Sequence, residues 1–401
     1  MIIRGRALPL ATYRRRRREA ARLAQRHLFG PVPLLFLGCD EHRLRRERQD
    51  PWFDYYTGCH EPEAALLILP SGESTLFLDP GDPKRVVWDG KRLRPGQGRA
   101  VFGVDRSLPR DRLDDAVKAA ARAAGGRIAM CTRRSEPGFQ AQAMAQWKAK
   151  LAPEILIGNA ESALIRQRMI KDADEVAWHR EAIRRTRDGS LAVWPRIPRL
   201  TSEAEVAAAL EAEYRCHDQA PLAFPSIVGS AVNGATLHYP FNDQPLVAAA
   251  PLLIDSGATA GGYCADVTRT IPQDGRFGRG LFREVYSLVL ASNQLVRAAA
   301  KPGVTIAQLN EVAWKPITDA GYTRHHGVSH HIGLDVHDPS DRDAPLAPGM
   351  IISNEPGIYL PKENFGVRIE DDLLITADGC EELTAAIPKD IAAVEAAMRP
   401  R

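Results

Sequence analysis

The first part of the chain alternates short apolar runs with segments that place apolar residues at helical spacing. Runs of four to six apolar residues between turn-forming residues are typical of buried strands, and longer amphipathic segments are typical of helices. The pattern predicts helices over 11–28 and 112–124 and strands over 34–37, 64–69 and 75–78. It therefore indicates a small α/β domain that ends near residue 155.

The rest of the chain opens with a charged segment over 166–187, for which the spacing of apolar residues predicts a helix. Further on, the apolar run 251–254 ends at Asp255, and Asp266 opens a second strand-like run. A glycine-rich turn, Gly261-Gly262, separates the two runs. The pattern predicts a hairpin with one carboxylate on each strand.

Three further chemically active residues lie beside apolar, strand-like sequence. Glu355 follows the run 351–354, Glu370 lies within 367–375, and His330 lies within 326–338. Any one of these residues, or of the two aspartates, is explained equally well as a capped turn or a solvated strand end. Such an explanation fits poorly when five residues in the order Asp, Asp, His, Glu, Glu all lie beside buried strands.

Charge explains why these residues would need a cation. Four carboxylates gathered in a low-dielectric interior repel one another and have raised pKa values unless positive charge neutralises them. Two divalent cations carry the matching charge. Oxygen-rich ligation with a single imidazole suits Mn²⁺ better than the sulfur-rich sites that hold structural zinc, and none of the six cysteines falls in these motifs.

At this point the chain resembles a known family, the metallopeptidases of the pita-bread fold. Its members include methionine aminopeptidase, aminopeptidase P, prolidase and creatinase. The segment from His326 to Asp338 matches the signature of the aminopeptidase P and prolidase branch position by position. Residues 48–50 and 55–64 resemble the N-terminal domain of aminopeptidase P. Pro51-Trp52-Phe53 departs from that pattern, so no active-site role is assigned to its neighbours Asp50 and Asp54.

The resemblance implies an α/β (α+β) architecture with two domains. Residues 1–155 would form an aminopeptidase P-like N-terminal domain, and residues 156–401 a pita-bread catalytic domain. It also implies two divalent metal ions, with Mn²⁺ favoured and Co²⁺ or Zn²⁺ as alternatives. The implied ligands of these ions are Asp255, Asp266, His330, Glu355 and Glu370. Because all five are present, metal-free creatine hydrolysis and a non-catalytic role are disfavoured.

The resemblance places His238, His326 and His337 around the substrate, and the chemistry of a two-metal site then suggests catalytic roles. Glu355 would take a proton from the attacking water and return it to the leaving nitrogen. His337 would help to stabilise the oxyanion. His238 and His326 would lie beside the substrate. His331 is expected to point away from the site and to have a structural role.

Three further residues are candidates for binding the substrate. A proline imide needs a dedicated pocket because proline has no N–H and carries a ring. Tyr359, together with His326, is a candidate for the wall of this pocket. Arg368 would grip a carboxylate or carbonyl further along the substrate. Trp88 resembles a tryptophan that closes a site from a neighbouring subunit, although core packing explains it equally well.

These expectations together predict an Xaa-Pro aminopeptidase that acts on peptides with proline in second position. Prolidase, which accepts only dipeptides, shares every motif and is the alternative. A non-catalytic peptide-binding module on the same fold is a more distant alternative. A homo-oligomer, either a dimer or a tetramer, is also expected.

Composition adds limits on size and partners. A chain of 401 residues with 44% hydrophobic residues suits two domains, and its net charge of +3 indicates no general affinity for nucleic acid. One basic run, Arg14 to Arg18, is interpreted as the solvated face of a helix rather than a nucleic-acid or targeting patch.

The sequence also indicates a compartment. The six scattered cysteines are typical of reduced thiols. Charges appear too early at the N-terminus for a signal peptide, and the apolar runs fall short of a membrane span of about 18 residues. A cytoplasmic protein that does not associate with membranes is therefore expected.

Overall fold

The computed structural model describes residues 7–28, 30–46, 48–131, 139–151, 153–217 and 221–399. The chain divides into two compact units, Met1–Gln167 and Arg168–Arg401. The predicted α/β class with a smaller N-terminal domain is confirmed. The division falls later than residue 155 because the strand Leu156–Asn159 pairs with Arg127–Met130 and completes the first unit's sheet. No helix among the described residues is long and apolar enough to cross a membrane.

The first unit is built around one mixed sheet. Its helices are α1 (Leu10–His27), α2 (Glu41–Arg46), α3 (Pro51–Thr57), α4 (Val86–Asp89), α5 (Gly98–Phe102), α6 (Leu113–Ala123), α7 (Phe139–Leu151) and α8 (Glu161–Met169), the last of which continues into the second unit. Its strands are β1 (Leu34–Leu37), β2 (Ala65–Ile68), β3 (Ser74–Leu78), β4 (Arg106–Pro109), β5 (Arg127–Met130) and β6 (Leu156–Asn159). They are arranged in the order β4-β3-β2-β1-β5-β6.

Both faces of this sheet are covered, which explains its uninterrupted apolar strands. Every residue of β1 and β2 is buried. Helices α6 and α7 pack against one face, where Val117 and Trp147 join a core with Leu35 and Leu67. Such strands lack the alternation of a sheet with one solvated face, as expected when both faces are covered.

The basic run on α1 is not the solvated face that its charge suggests. Arg16 and Arg17 are 3% and 1% exposed. Arg17 donates to the carbonyl oxygens of Tyr56 at 2.8 Å and Gly103 at 2.6 Å. Arg16 donates to the Tyr55 carbonyl at 3.1 Å. The solvated-face prediction is therefore wrong for these two residues, which bind carbonyl groups at the ends of α3 and α5, where the helix dipole favours a cation.

The second unit combines several short sheets with long helices. Its helices are α9 (Ala173–Val193), α10 (Glu203–Arg215), α11 (Leu281–Ala299), α12 (Ile306–Asp319) and α13 (Ile391–Ala397). Its strands are β7 (Ile227–Ser230), β8 (Pro251–Ser256), β9 (Thr259–Ala260), β10 (Tyr263–Cys264), β11 (Val267–Pro272), β12 (Ile351–Asn354), β13 (Gly357–Leu360), β14 (Phe365–Arg368), β15 (Asp371–Ile375) and β16 (Cys380–Glu382). The sheets are β11-β8-β7, β12-β15-β16, β13-β14 and β10-β9.

The predicted helix 166–187 is in fact two helices, α8 and α9. Ile170 pairs with Met350 in an antiparallel bridge, so the chain is extended between them. Asp172 then caps α9 and exchanges hydrogen bonds with Glu175 in a capping box. Helical periodicity on both sides of the break masked this start signal, which was present in the sequence.

The predicted hairpin has the expected core and an additional turn. β8 pairs with β11 in antiparallel register, with Asp255 opposite Thr268. Between them, β9 and β10 form a smaller hairpin that turns at Gly261 and Gly262, both with positive φ. A Cβ on Gly261 would lie 2.5 Å from the Trp178 ring, so both its backbone conformation and its packing require glycine there.

Candidate metal centre

Strand β12 positions the imidazole of the site. The extended segment before and after His330 runs beside β12: Ile332 donates its N–H to the Ile351 carbonyl, and Glu355 donates its N–H to the Val328 carbonyl. His330 and Ser353 therefore lie opposite each other, and the His330 carbonyl accepts the Ser353 N–H at 2.8 Å. This pairing brings the histidine motif next to Glu355, at the end of β12.

Three carboxylates surround the His330 ring. Its Nε2 lies 3.4 Å from Asp266 Oδ2, 3.4 Å from Glu355 Oε1 and 4.0 Å from Glu370 Oε1. Ligand atoms of Asp266, His330 and Glu370 all lie within 4.8 Å of one another. Asp266 immediately precedes β11, and Glu370 lies between β14 and β15. The strand-like segments that were predicted to carry Asp266, His330 and Glu370 therefore place these three side chains next to one another.

Asp255 has a partner that the sequence did not indicate. Its Oδ2 accepts a hydrogen bond from Arg368 Nη2 at 2.6 Å. Both side chains are buried, and among the residues that the structure describes the other oxygen, Asp255 Oδ1, has no hydrogen-bond donor. A buried carboxylate oxygen without a donor is costly unless a cation binds it.

The electrostatics of the cluster favour a bound cation. Burial raises the pKa of Asp255, Asp266 and Glu370. Neighbouring carboxylates raise the pKa further, with Glu370 acting on Asp266 and Glu355 acting on Glu370. Buried carboxylates of this kind take up either protons or metal ions. Hard oxygen donors around one imidazole, together with the orphaned Asp255 oxygen, fit a divalent metal ion.

A hydrogen-bonded chain leads outward from Arg368. Arg368 Nη1 donates to the Tyr359 hydroxyl at 3.1 Å, and this hydroxyl lies 3.1 Å from His326 Nε2. Burial raises the pKa of Tyr359 to about 12 and lowers the pKa of His326. His326 Nδ1 lies 2.8 Å from the Gly327 carbonyl, to which it can donate only as N–H. Tyr359 therefore donates to a neutral His326.

Arg368 is more enclosed than its predicted role in gripping substrate suggests. It is 2% exposed, and its guanidinium donates to Asp255, Thr268, Tyr359 and the Leu237 carbonyl. Most of its N–H groups are therefore already used within the protein. Its direct contacts are with a predicted metal ligand and a predicted wall of the proline pocket.

The remaining predicted site residues lie in different surroundings. The exposed His337 ring packs edge-on against His330, with the centroids 4.3 Å apart. His238 is exposed and directly follows Leu237. Trp88, on α4 of the first unit, is 80% exposed, so packing in a core of this chain does not explain it. His331 is buried and bridges to Ile352, in agreement with a structural role.

Sequence reasoning missed three buried polar residues behind the ligands. The Ser353 hydroxyl contacts Glu355, the Thr268 hydroxyl contacts Glu370, and Asp372 Oδ2 accepts the Asp266 N–H at 3.3 Å. Each of the three lies two residues from a predicted ligand. Since side chains two apart on a strand share a face, this spacing was a usable signal.

Comparison with known proteins agrees with the geometry. A cluster of buried carboxylates around one histidine is typical of a divalent-metal hydrolase. Residues 177–377 match the model of metallopeptidase family M24, and residues 45–128 match the N-terminal domain of aminopeptidase P. The chain therefore belongs to metallopeptidase family M24. This confirms the predicted family and the order of its two domains.

Individual relatives are similar over nearly the whole chain. The Xaa-Pro aminopeptidase of Haemophilus influenzae is 30% identical, and the match covers 87% of each chain. The mitochondrial intermediate cleaving peptidase 55 of Arabidopsis thaliana is also 30% identical, over 87% of this chain and 74% of that protein. The solved structure of Pseudomonas aeruginosa aminopeptidase PepP superimposes with a TM-score of 0.83, at 28% identity and 99% coverage of both chains.

Proposed function

We propose that this metallopeptidase is an Xaa-Pro aminopeptidase, which releases the N-terminal residue from peptides with proline in second position. The observation that carries the proposal is the convergence of Asp266, Glu355 and Glu370 on His330 in a chain of family M24. The Haemophilus relative that carries the name Xaa-Pro aminopeptidase supports this specificity. Prolidase activity is the outcome to be distinguished by experiment.

We further propose that the site holds two divalent ions, with Mn²⁺ favoured over Co²⁺ or Zn²⁺. The residues that would hold them are Asp255, Asp266, His330, Glu355 and Glu370. The oxygen-rich donor set and the orphaned Asp255 oxygen support this assignment. When bound, such ions would supply a water that is acidic enough to react near neutral pH.

The protein's own groups would move protons and hold the substrate. Glu355, which is partly exposed, is proposed to accept a proton and to return it to the leaving proline nitrogen. His337, exposed beside His330, is proposed to donate to the carbonyl oxygen as it becomes negative. His326 and Tyr359 are proposed as walls of the proline pocket, and their mutual hydrogen bond would keep them in place.

Arg368 is proposed to act on the substrate mainly through its neighbours. Its hydrogen bonds to Tyr359 and Asp255 would orient one pocket wall and one metal ligand. His238, exposed next to Leu237, is proposed to lie at the entrance of the same pocket.

Assembly and location also remain proposals. A homo-oligomer, dimer or tetramer, would cover the exposed Trp88, and light scattering of the wild type and Trp88→Ala tests this. Six free cysteines agree with a reducing compartment such as the cytoplasm. Fractionation of the native host tests this location.

The decisive experiment compares three substrates on metal-reconstituted enzyme: an Xaa-Pro dipeptide, an Xaa-Pro-Yaa tripeptide and the N-acetylated tripeptide. We expect the tripeptide to be cleaved at least as well as the dipeptide. Acetylation should abolish cleavage because it removes the ammonium charge that a carboxylate-rich site attracts. Cleavage of the dipeptide alone would identify a prolidase. Equal cleavage of the acetylated peptide would contradict both activities.

A further inference from the structure

Two buried hydroxyl groups lie directly behind the glutamates of the site. Ser353 Oγ is 3.2 Å from Glu355 Oε1, and Thr268 Oγ1 is 2.7 Å from Glu370 Oε2. Both residues have no measurable exposure. Ser353 is on β12 and Thr268 is on β11, so the two contacts approach the site from different sheets.

Each hydroxyl also accepts a hydrogen bond from a group that can only donate. The His330 backbone N–H lies 3.0 Å from Ser353 Oγ, and Arg368 Nε lies 3.0 Å from Thr268 Oγ1. A hydroxyl has one proton, and an ionised carboxylate can only accept. The serine proton is therefore available to Glu355 and the threonine proton to Glu370, each of which lies within hydrogen-bond distance.

We propose that Ser353 and Thr268 are positioning residues that fix the two glutamate carboxylates for cation binding. The inference rests on the proposed metal-dependent function. Each hydroxyl links one glutamate to a second group of the site: Ser353 links Glu355 to the His330 backbone, and Thr268 links Glu370 to Arg368. Neither hydroxyl would touch the substrate.

Removal of either hydroxyl is expected to weaken metal binding, because each hydroxyl restrains the orientation of a glutamate carboxylate. The terminal torsion of a glutamate is broad, so a carboxylate without its hydrogen bond samples many orientations. A cation must then order the carboxylate when it binds. Loss of a hydrogen-bonding partner behind a metal ligand typically weakens metal binding about 10–100-fold. We expect a loss on this scale for each hydroxyl.

The test compares hydroxyl deletions that differ only in what the hydroxyl contacts. Ser353→Ala is matched by Ser292→Ala, because the buried Ser292 hydroxyl donates to the Ala313 carbonyl at 2.7 Å and contacts none of the predicted ligands. Thr268→Val is matched by Thr270→Val on the same strand. Within the described part of the chain, the buried Thr270 hydroxyl bonds to the backbone of Arg368 and to no predicted ligand. Thr268→Ser retains the hydroxyl and serves as the rescue variant.

The full chain of each variant is titrated with Mn²⁺ against a competing chelator, and bound metal is verified by elemental analysis. Thermal unfolding is measured in parallel. We expect all four deletions to lower the unfolding temperature, but only Ser353→Ala and Thr268→Val to weaken Mn²⁺ binding about 10–100-fold. Thr268→Ser should bind Mn²⁺ within a few fold of the wild type.

The positioning role is overturned if the ligand-facing variants bind Mn²⁺ with the same affinity as their control variants. This holds both when no variant is weakened and when all four deletions are weakened equally. These results are distinct from failure of the proposed function. If the wild type binds no divalent metal, the proposed function fails. If the wild type binds metal but cleaves no Xaa-Pro peptide, only the substrate assignment fails, and the comparison of affinities still stands.

Discussion

Removal of the Arg368 guanidinium should affect the metal-free protein more than the metal-loaded protein. In the structure Arg368 Nη2 lies 2.6 Å from Asp255 Oδ2 and neutralises this buried carboxylate. Arg368→Met would leave that carboxylate without a counter-charge unless a cation occupies the site. Breaking one side of a buried ion pair costs roughly 3–5 kcal/mol.

The expected loss of stability differs between the metal-free and the metal-loaded protein. For a unit of this length, 1 kcal/mol corresponds to about 2–4 °C, so the metal-free variant should unfold roughly 6–20 °C below the wild type. With divalent ions bound, the charge on Asp255 is compensated. The remaining loss comes from the hydrogen bonds to Thr268 and Tyr359, at about 1 kcal/mol each.

The assay is thermal unfolding in chelator and in saturating Mn²⁺. Arg269→Met is the matched control. Arg269 is equally buried and pairs with Asp371 at 2.8 Å. Its contact with the predicted ligand Glu370 is to the backbone carbonyl and not to the carboxylate, so its loss leaves the charge of the ligand set unchanged and should destabilise both states alike. The reasoning is refuted if Arg368→Met lowers the unfolding temperature equally in both conditions, or if Asp255→Asn fails to relieve the metal-free loss in the double variant.

Three further predictions follow from other contacts. Asp266→Ala should lose bound metal and activity together, whereas His337→Ala should retain metal while kcat falls about 10²–10³-fold, as measured by elemental analysis and steady-state kinetics. Burial lowers the pKa of His179 to about 3 in the folded protein, whereas a histidine in the unfolded chain has a pKa of about 6.5. Between these two values only the unfolded chain binds the proton, so His179 lowers the free energy of unfolding as the pH falls from about 6.5 to about 3. His179→Phe should make the decline in urea-unfolding free energy below pH 6.5 shallower by up to about 1.4 kcal/mol per pH unit; an unchanged slope would show that His179 titrates normally. Arg17→Met should lower the free energy of unfolding of the first unit by about 2–4 kcal/mol in urea, and exposed Arg18→Met by much less. Equal effects would show that the hydrogen bonds of Arg17 to carbonyl oxygens do not stabilise this unit.

The parts of the fold that the sequence predicted are those that local chemistry determines. Strands β1 and β2 are short apolar runs between turn-forming residues, and the structure places them within one residue of their predicted bounds at each end. The predicted ligands were recognisable because a carboxylate directly beside a buried strand is unusual. Their order and spacing also resembled those of a known family, and the long motif around His330 matched one branch of it.

The parts that were missed depend on contacts between distant segments. Arg17 could be interpreted only by charge, because its carbonyl partners lie 39 and 86 positions away. Arg368 and Asp255 are separated by 113 positions, and nothing local to either residue indicates the pair. Ser353 and Thr268, in contrast, could have been predicted from local sequence. Each lies two residues from a predicted ligand, on or beside a strand, and side chains two apart on a strand share a face.

The Arg368 contact also changes the charge argument for the site. The sequence suggested four carboxylates balanced by two divalent ions, but the structure adds a buried guanidinium that bonds to Asp255. If only the four carboxylates and Arg368 are counted, one divalent ion would leave the site with a net charge of minus one, and two would leave plus one. Amide hydrolysis develops negative charge on the carbonyl oxygen, and a site with excess positive charge stabilises it. The buried arginine therefore removes the simple charge match between four carboxylates and two divalent ions, and binding of two ions would leave the excess positive charge that favours the developing oxyanion.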